Sequence, residues 1–296
     1  MKLVTWNTQW CCGIDGVVSP QRIVDGVRAF QPDFDVLCLQ EISVNYPRLQ
    51  GNPGHDQVAI LRALLPGFQV FFGAAVDEFE GGERRQFGNL IATRLPVARV
   101  EHHPLPWPAD TGVRSMPRMC TVVTVVNPAL GPVRIMTTHL EFYSKPQRMA
   151  QALALRELHA AACAQALAPP EPSHDGSPFQ SKLHTTEAIL CGDFNLEATE
   201  PDYSAIQKPF VPAVPASRAR DAINSGAIRL LDSWTLLHGA TPHAPTFRLY
   251  DRRYGPEPVA CDFVFFSDGL QSRVRSLRVD GQTQASDHQP VALELG

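Results

Sequence analysis

At 296 residues, 44% hydrophobic and 19% charged, the chain has an ordinary globular composition and is long enough for one large core or two small ones. A formal net charge of -4 gives no global attraction for polyanions, so any nucleic-acid binding needs a local basic patch. No uninterrupted apolar run reaches membrane-spanning length. Met1–Trp6 lacks the long apolar core of a signal peptide, and the seven scattered cysteines have the spacing of neither a disulfide framework nor a zinc site, so a reducing cytoplasm is expected.

Lys2–Trp6 reads as a first strand with Asn7 at its tip. Ser19 as N-cap, Pro20 at the first helical position, and Ile23, Val24, Val27 and Phe30 on one face predict a helix. Asp35–Leu39 is a short buried strand ending in Gln40-Glu41, and His55–Leu65 has helical spacing up to Pro66-Gly67. Phe68–Val76, Gly88–Thr93, Met119–Val126 and Val133–Thr138 then read as strands separated by Pro or Gly. Phe142–Ala168 is the longest helical stretch, alanine-rich and capped by Ser144. A surface loop of about residues 168–182 follows, rich in Pro, Ser, Gly and His. Glu187–Cys191 is a buried strand whose Gly192 is expected to turn the chain at its end. Pro201–Arg220 reads as irregular and Ile228–Leu237 as a short helix. Thr246–Tyr250, Cys261–Phe266, Val274–Val279 and Val291–Leu295 close the chain as strands. With no repeat and no linker, residues 1–296 are expected to form a single α/β layered domain.

Polar residues recur at the strand tips: Asn7, Glu41, His139, Asp193 with Asn195, Asp262, and Ser286-Asp287-His288. Each alone has a plain structural reading. Glu41 serves as a solvated strand end, His139 as a satisfied core histidine, Asp193 with Asn195 as a turn starter, and Asp287-His288 as a turn. Their joint order is much harder to obtain by accident. The ordered set Thr5-Trp6-Asn7, Leu39-Gln40-Glu41, Gly88-Asn89-Leu90-Ile91, Thr138-His139-Leu140, Gly192-Asp193-Phe194-Asn195, Cys261-Asp262-Phe263-Val264 and Ser286-Asp287-His288 resembles the endonuclease/exonuclease/phosphatase superfamily, the deoxyribonuclease I-like metal-dependent phosphoesterases.

That resemblance implies a four-layer α/β sandwich, two packed mixed β-sheets flanked by helices, with the site at one end. It also implies hydrolysis of a phosphodiester or phosphomonoester by an activated water. Glu41 is then the principal Mg²⁺ ligand, with Asn7 beside it and Asp287 as a further one, and Mn²⁺ is able to substitute. Asp193 orients and deprotonates the water, and Asn195 positions it. His139 and His288 stabilise the phosphoryl oxygens, Asp262 fixes the His288 ring, and Asn89 supports the His139 side. Two departures matter. Gln9 stands where exonuclease III-type repair enzymes carry an acidic residue, and His139 stands where they carry a tyrosine. Both lean away from an abasic-site endonuclease. The alternatives are a DNA or RNA nuclease of the same superfamily, or a catalytically silent phosphate-binding member.

Other candidates are weaker. His102 and His103 point to opposite faces of a strand and share no metal. Arg84, Arg85, Arg114, Arg118, Arg252 and Arg253 make a phosphate-binding rim or, more simply, solvated loop residues. Arg148 and Gln151 read as supporting structure, while Trp10, Phe142 and Tyr143 either line the site or pack in the core. With no lysine-rich stretch or basic helix, the expected partner is a compact phosphate ester: a small molecule, a lipid headgroup or a nucleic-acid end. A monomer is expected.

Overall fold

A computed structural model describes residues 1–215 and 229–296. Among the described residues the strands form two six-stranded mixed sheets. The first contains β1 (Lys2–Asn7), β2 (Val36–Val44), β3 (Gln69–Glu80), β4 (Glu83–Thr93), β11 (Val274–Val279) and β12 (Val291–Leu295), in the order β11-β12-β1-β2-β4-β3. The second contains β5 (Val97–Pro104), β6 (Met119–Asn127), β7 (Gly131–His139), β8 (Ala188–Asp193), β9 (Leu230–Asp232) and β10 (Asp262–Ser267), in the order β5-β6-β7-β8-β10-β9. Each sheet has one parallel pair near its centre, β1 with β2 and β7 with β8. Helix α1 (Pro20–Phe30) connects the first pair and α3 (Lys145–Leu167) the second, because parallel neighbours need a crossover.

Side-chain alternation builds the layers. Leu3, Val36, Cys38 and Ile91 of the first sheet meet Val123, Ile135, Ile189 and Val264 of the second. The intervening residues Val4, Trp6, Leu37 and Leu39 face α1 and α2 (Gln57–Leu64) on the other side. Met136, Leu190, Phe263 and Phe265 likewise face α3 and α4 (Pro201–Gln207). Strands buried on both faces read as continuous apolar runs, which is why these were visible in the sequence. Each such fully buried side chain contributes about 1.5–3 kcal/mol. The result is the expected four-layer sandwich. Ser19 and Ser144 cap α1 and α3 as expected, accepting from the Arg22 and Gln147 amides at 3.2 and 3.3 Å.

The inter-sheet core turns polar towards one end. Buried Gln40 donates to Thr5 of its own sheet at 3.2 Å and to Thr137 of the other at 2.8 Å. Asn89 of β4 donates to the Met119 carbonyl of β6 at 3.1 Å. This end carries the candidate site.

Several expectations are corrected. β3 and β4 are longer than their apolar stretches and run on as a hairpin closed at Gly81-Gly82, with Glu80 opposite Glu83. Charged residues such as Asp77 and Arg84, paired at 2.6 Å, hide the strand pattern because this arm lies in solvent. β5 is a half-exposed edge strand with no clean alternation, so beyond the pair His102-His103 its extent was not read from the sequence. Pro201 opens helix α4 rather than an irregular stretch; the part of that stretch beyond residue 215 lies outside the described residues. Within the expected helix 228–237, residue 228 is likewise outside, Leu230–Asp232 is a strand, and only Ser233–His238 (α5) is helical. Thr246–Tyr250 is a loop held by bridges from Phe247 to Val259 and His288. Gly192 does not turn the chain: it sits within β8, where its missing side chain admits the backbone of β7.

Candidate active site

Strand direction gathers the polar tips. β1, β2, β7 and β8 run towards the polar end, while β10 and β12 are antiparallel to β8 and β1 and start there. The register places His139 opposite Asp193 and Asp193 opposite Asp262 across three adjacent strands. Asn7 then joins the sheets: its amide nitrogen donates to Glu41 at 3.1 Å and to Asp193 at 2.8 Å. The His139 ring lies between the same carboxylates, Nδ1 3.9 Å from Glu41 and Nε2 3.5 Å from Asp193. His288 Nε2 is 3.7 Å from Asp193, and its Nδ1 bonds Asp262 at 2.9 Å. Glu41, His139, Asp193, Asn195, Asp287 and His288 line one cleft of about 240 Å³. Asn7 and Asp262 stand directly behind that lining.

Local backbone features aim these groups. Gln40 and Glu41 together oppose Asn89, since Leu39 pairs with Leu90 and Ile42 with Gly88. Glu41 in this bulge has φ +60°, so the extra residue redirects its carboxylate out of the ladder. Asn195, at φ +51°, gives its backbone N–H to Asp193 at 2.8 Å and its side-chain amide to the Leu140 carbonyl at 2.9 Å. Ser286 Oγ donates to the Asn7 carbonyl at 2.8 Å and pins the Asp287-His288 segment, and Trp6 Nε1 donates to the His288 carbonyl at 2.9 Å. Asn89 reaches the His139 strand only indirectly: it shares the Met119 carbonyl with Thr138 Oγ1, 3.1 Å away.

The two histidines are electrostatically unlike. Burial, then the nearby Arg118 cation, pushes His139 down to about 3, so its ring is neutral. Burial also opposes charge on His288, but the Asp262 and Asp193 carboxylates override it and hold the ring well above its usual range, as a cation. The Phe247 ring stacks on His288 with centroids 4.3 Å apart and fixes its plane. Burial, and after it the Asp287 charge, raises Glu41 to about 7, while Asp287 is raised by its own burial.

That crowding tests the implied cation. Glu41, Asp193 and Asp287 present hard carboxylate oxygens to one cleft, and cationic His288 partly offsets the charge on Glu41. A small divalent ion would relieve the repulsion, and oxygen donors of this kind suit Mg²⁺. The donor set therefore fits, with Glu41 and Asp287 as direct or water-mediated ligands. Asn7 turns its nitrogen to Glu41 while its oxygen accepts from Gln9 N at 3.1 Å, so ligation through that oxygen needs the amide turned over.

The wall differs in part from the sequence reading. Of the two readings of Arg118, a rim or a solvated loop residue, the solvated one is overturned. Arg118 is buried and pairs with buried Glu141 at 3.1 Å on the cleft lining. Phe247, from the segment read as a strand, and Tyr254, just beyond it, also line the cleft. The available signal was a run of aromatic and arginine residues, Phe247 to Tyr254, with no strand alternation. Trp10, Phe142 and Tyr143 do line it, and Arg114 lies over the Tyr143 ring at 5.6 Å. Arg148 and Gln151 are supporting structure: Arg148 binds Asp202 at 3.1 Å and Gln151 accepts from Glu141 N at 2.9 Å. His102 and His103 lie on β5, outside the cleft lining.

No curated protein sequence matches the chain. Its structure is similar to that of an endonuclease/exonuclease/phosphatase from Beutenbergia cavernae DSM 12333, with 25% identity and TM-score 0.61 over 100% of this chain and 72% of that one. It shares its fold with a mannosyl-6-phosphatase of Bacteroides thetaiotaomicron VPI-5482, with 19% identity and TM-score 0.63 over 100% and 99% of the two chains. The fold is also that of the 3′ phosphatase NExo from Neisseria, whose structure holds a product DNA hairpin, with 19% identity and TM-score 0.57 over 100% and 99%. The model of the Endonuclease/Exonuclease/phosphatase family matches residues 4–288. Nearly the whole chain, carrying every strand-tip residue described above, therefore belongs to the endonuclease/exonuclease/phosphatase family of phosphoester hydrolases.

Proposed function

We propose that the chain is a Mg²⁺-dependent phosphoesterase that hydrolyses a compact phosphate ester by attack of a water aimed by Asp193. The carrying observation is Asp193 itself, within 3.5 Å of neutral His139 and 3.7 Å of cationic His288, in a cleft open to a small molecule. Asp193 is buried and held by the Asn7 amide and the Asn195 backbone N–H, which leaves its carboxylate fixed as the acceptor for a water proton. His288 has Nδ1 taken by Asp262, so its Nε2–H is free to donate to a phosphoryl oxygen. Neutral His139 donates one N–H to another oxygen, and the Asn195 amide flanks the water. Asp262 acts as a positioning residue that keeps His288 charged. A bound Mg²⁺, held by Glu41 and Asp287 with Asn7 beside it, would supply charge neutralisation at the phosphate.

The cleft favours a small or end-on substrate over a duplex groove. Its volume is about 240 Å³, its walls are aromatic, and the chain's net charge is -4. The phosphatase neighbours, one on a mannosyl phosphate and one with a DNA 3′ end, agree with that size class. The test is a panel of sugar phosphates, inositol phosphates, sphingomyelin, DNA and RNA ends, duplex plasmid and an aryl phosphodiester. Turnover of at least one small or end-on substrate should vanish in excess chelator, return with Mg²⁺ or Mn²⁺, and fall about 10²–10⁴-fold in Asp193→Asn. Full activity in chelator, or unimpaired Asp193→Asn, sinks the mechanism. Efficient plasmid nicking with a salt slope of magnitude above about five sinks the substrate class.

A further inference from the structure

We propose that Cys261, Asp262, His288 and Asp193 form a second, thiophilic metal site that takes Zn²⁺ and thereby switches the enzyme off. It is the one group of histidine, cysteine and carboxylate side chains among the described residues whose ligand atoms all lie within 4.8 Å of one another. It differs in kind from the Glu41–Asp287 donor set. Two of its members, Cys261 and Asp262, lie on the Nδ1 side of the His288 ring, away from the cleft, and one of them is a thiol.

The separations fit a tetrahedral ion. Cys261 Sγ is 3.6 Å from Asp262 Oδ2 and 3.9 Å from His288 Nδ1, and those two atoms are 2.9 Å apart. Bonds of about 2.3 Å to sulfur and about 2.0–2.2 Å to nitrogen and oxygen separate tetrahedral ligands by roughly 3.3–3.6 Å. Among these three ligands the spacing needs shifts of about half an ångström or less. Asp193 is the fourth ligand; its carboxylate lies within 4.8 Å of the others and has to swing in by about 1 Å to close the tetrahedron.

A second observation points to a cation. Asp262 is 5% exposed, and its other oxygen, Oδ1, is buried with no hydrogen-bond partner. A buried carboxylate with an unused oxygen, beside a thiol and an imidazole, is incompletely satisfied by the protein alone. The softness of the donors selects the ion. Thiolate and imidazole favour Zn²⁺ over Mg²⁺, so millimolar Mg²⁺ does not compete for this position. Binding would displace the thiol proton and the proton shared by His288 and Asp262. With Nδ1 on zinc and Asp193 drawn in, neither side chain could serve the phosphoryl group. His288 and Asp193 line the cleft, so the ion has an entry path.

The binding measurement needs no substrate and so stands or falls separately from the proposed reaction. Metal-free protein is titrated with Co²⁺, which reports a thiolate ligand by a near-ultraviolet charge-transfer band. Wild type and Cys163→Ser should show the band at one equivalent. Cys163 is a suitable control because its buried thiol also faces a histidine, His159, at 3.8 Å. Cys261→Ser should lack the band. In turnover assays with excess Mg²⁺, micromolar Zn²⁺ should inhibit wild type, and Cys261→Ser should need at least about tenfold more Zn²⁺. Its activity without zinc should stay within about twofold, and Cys261→Val replaces it if serine unsettles the fold. No band in wild type, the same band in both Cys261 variants, or equal zinc sensitivity overturns the proposal.

Discussion

Gly192→Ala is the sharpest test of how the fold makes the site. Gly192 has φ +137°, a conformation that L side chains rarely adopt. A Cβ there would run into the Thr138 carbonyl oxygen and lie 3.0 Å from its carbon and 3.1 Å from the Thr138 nitrogen. The backbone strain costs about 1–3 kcal/mol. Forcing a methyl against backbone that cannot rotate away adds about 1–3 kcal/mol. The sum, roughly 2–6 kcal/mol, is a large share of the ~5–15 kcal/mol that holds a typical native state. At about 2 °C per kcal/mol for a chain of this size, the unfolding midpoint should fall by roughly 4–12 °C. Relief comes only by parting β7 from β8, and the next register pair is His139 with Asp193. A displacement of about 1 Å there should cost about 10²-fold in turnover even where the variant is folded. The assay is thermal unfolding by circular dichroism, with turnover measured well below the midpoint. Gly67→Ala is the control: it also has positive φ, at +81°, but nothing lies within 4 Å. It should show the strain cost and no loss of turnover. A Gly192→Ala protein with an unchanged midpoint and full activity would refute the argument that close approach of these strands sets the site.

Asp262→Asn should lower turnover by about 10²–10⁴-fold. Because Asp262 helps hold His288 charged, the remaining activity should decline with rising pH at a lower pH than in wild type; coincident pH profiles would contradict that role. Replacing residues 168–182 with a short Gly/Ser linker should leave turnover within a few fold. The segment bonds to itself through Ser173 and Ser181 at 2.8 Å and leads into Ala188, at the end of β8 away from Asp193. A collapse of activity in a folded variant would place it over the cleft instead. Stability should fall in alkali. Burial raises Cys11 from 9.0 to about 12 and Cys163 to about 11, so between these values the unfolded chain loses thiol protons that the folded chain keeps. The stabilisation is complete below pH 9 and fades above it, by about 1.4 kcal/mol per pH unit for each thiol. Unfolding midpoints under reducing conditions that stay flat from pH 8 to 11 would count against it.

The apolar runs by themselves determined an α/β layered fold, and the ordered motifs at their ends, through the family resemblance, implied the four-layer sandwich and named the residues that the structure gathers at its polar end. Strands buried on both faces must be apolar throughout, so β1, β2, β7, β8 and β10 were legible as runs, and a polar residue ending each run stood out. Asn7, Glu41, His139, Asp193, Asn195, Asp262, Asp287 and His288 stood out this way, and the family's ordered motifs added Asn89. Elements whose residues meet solvent were not legible: the charged hairpin arm of β3 and β4, and edge strand β5, carry no apolar alternation to read. Only the tertiary structure decided how the named residues are aimed and charged. The Glu41 bulge depends on pairing with β4. Burial, then Arg118, keeps His139 neutral, while Asp262 and Asp193 override burial at His288, and these partners lie on other strands and loops. Buried Arg118 and Phe247 join the wall through Glu141 and the His288 ring, partners 23 and 41 residues away in the chain. Local periodicity records which face of an element is buried, whereas a group's protonation and aim are set by the side chains and dipoles that other elements bring within a few ångströms.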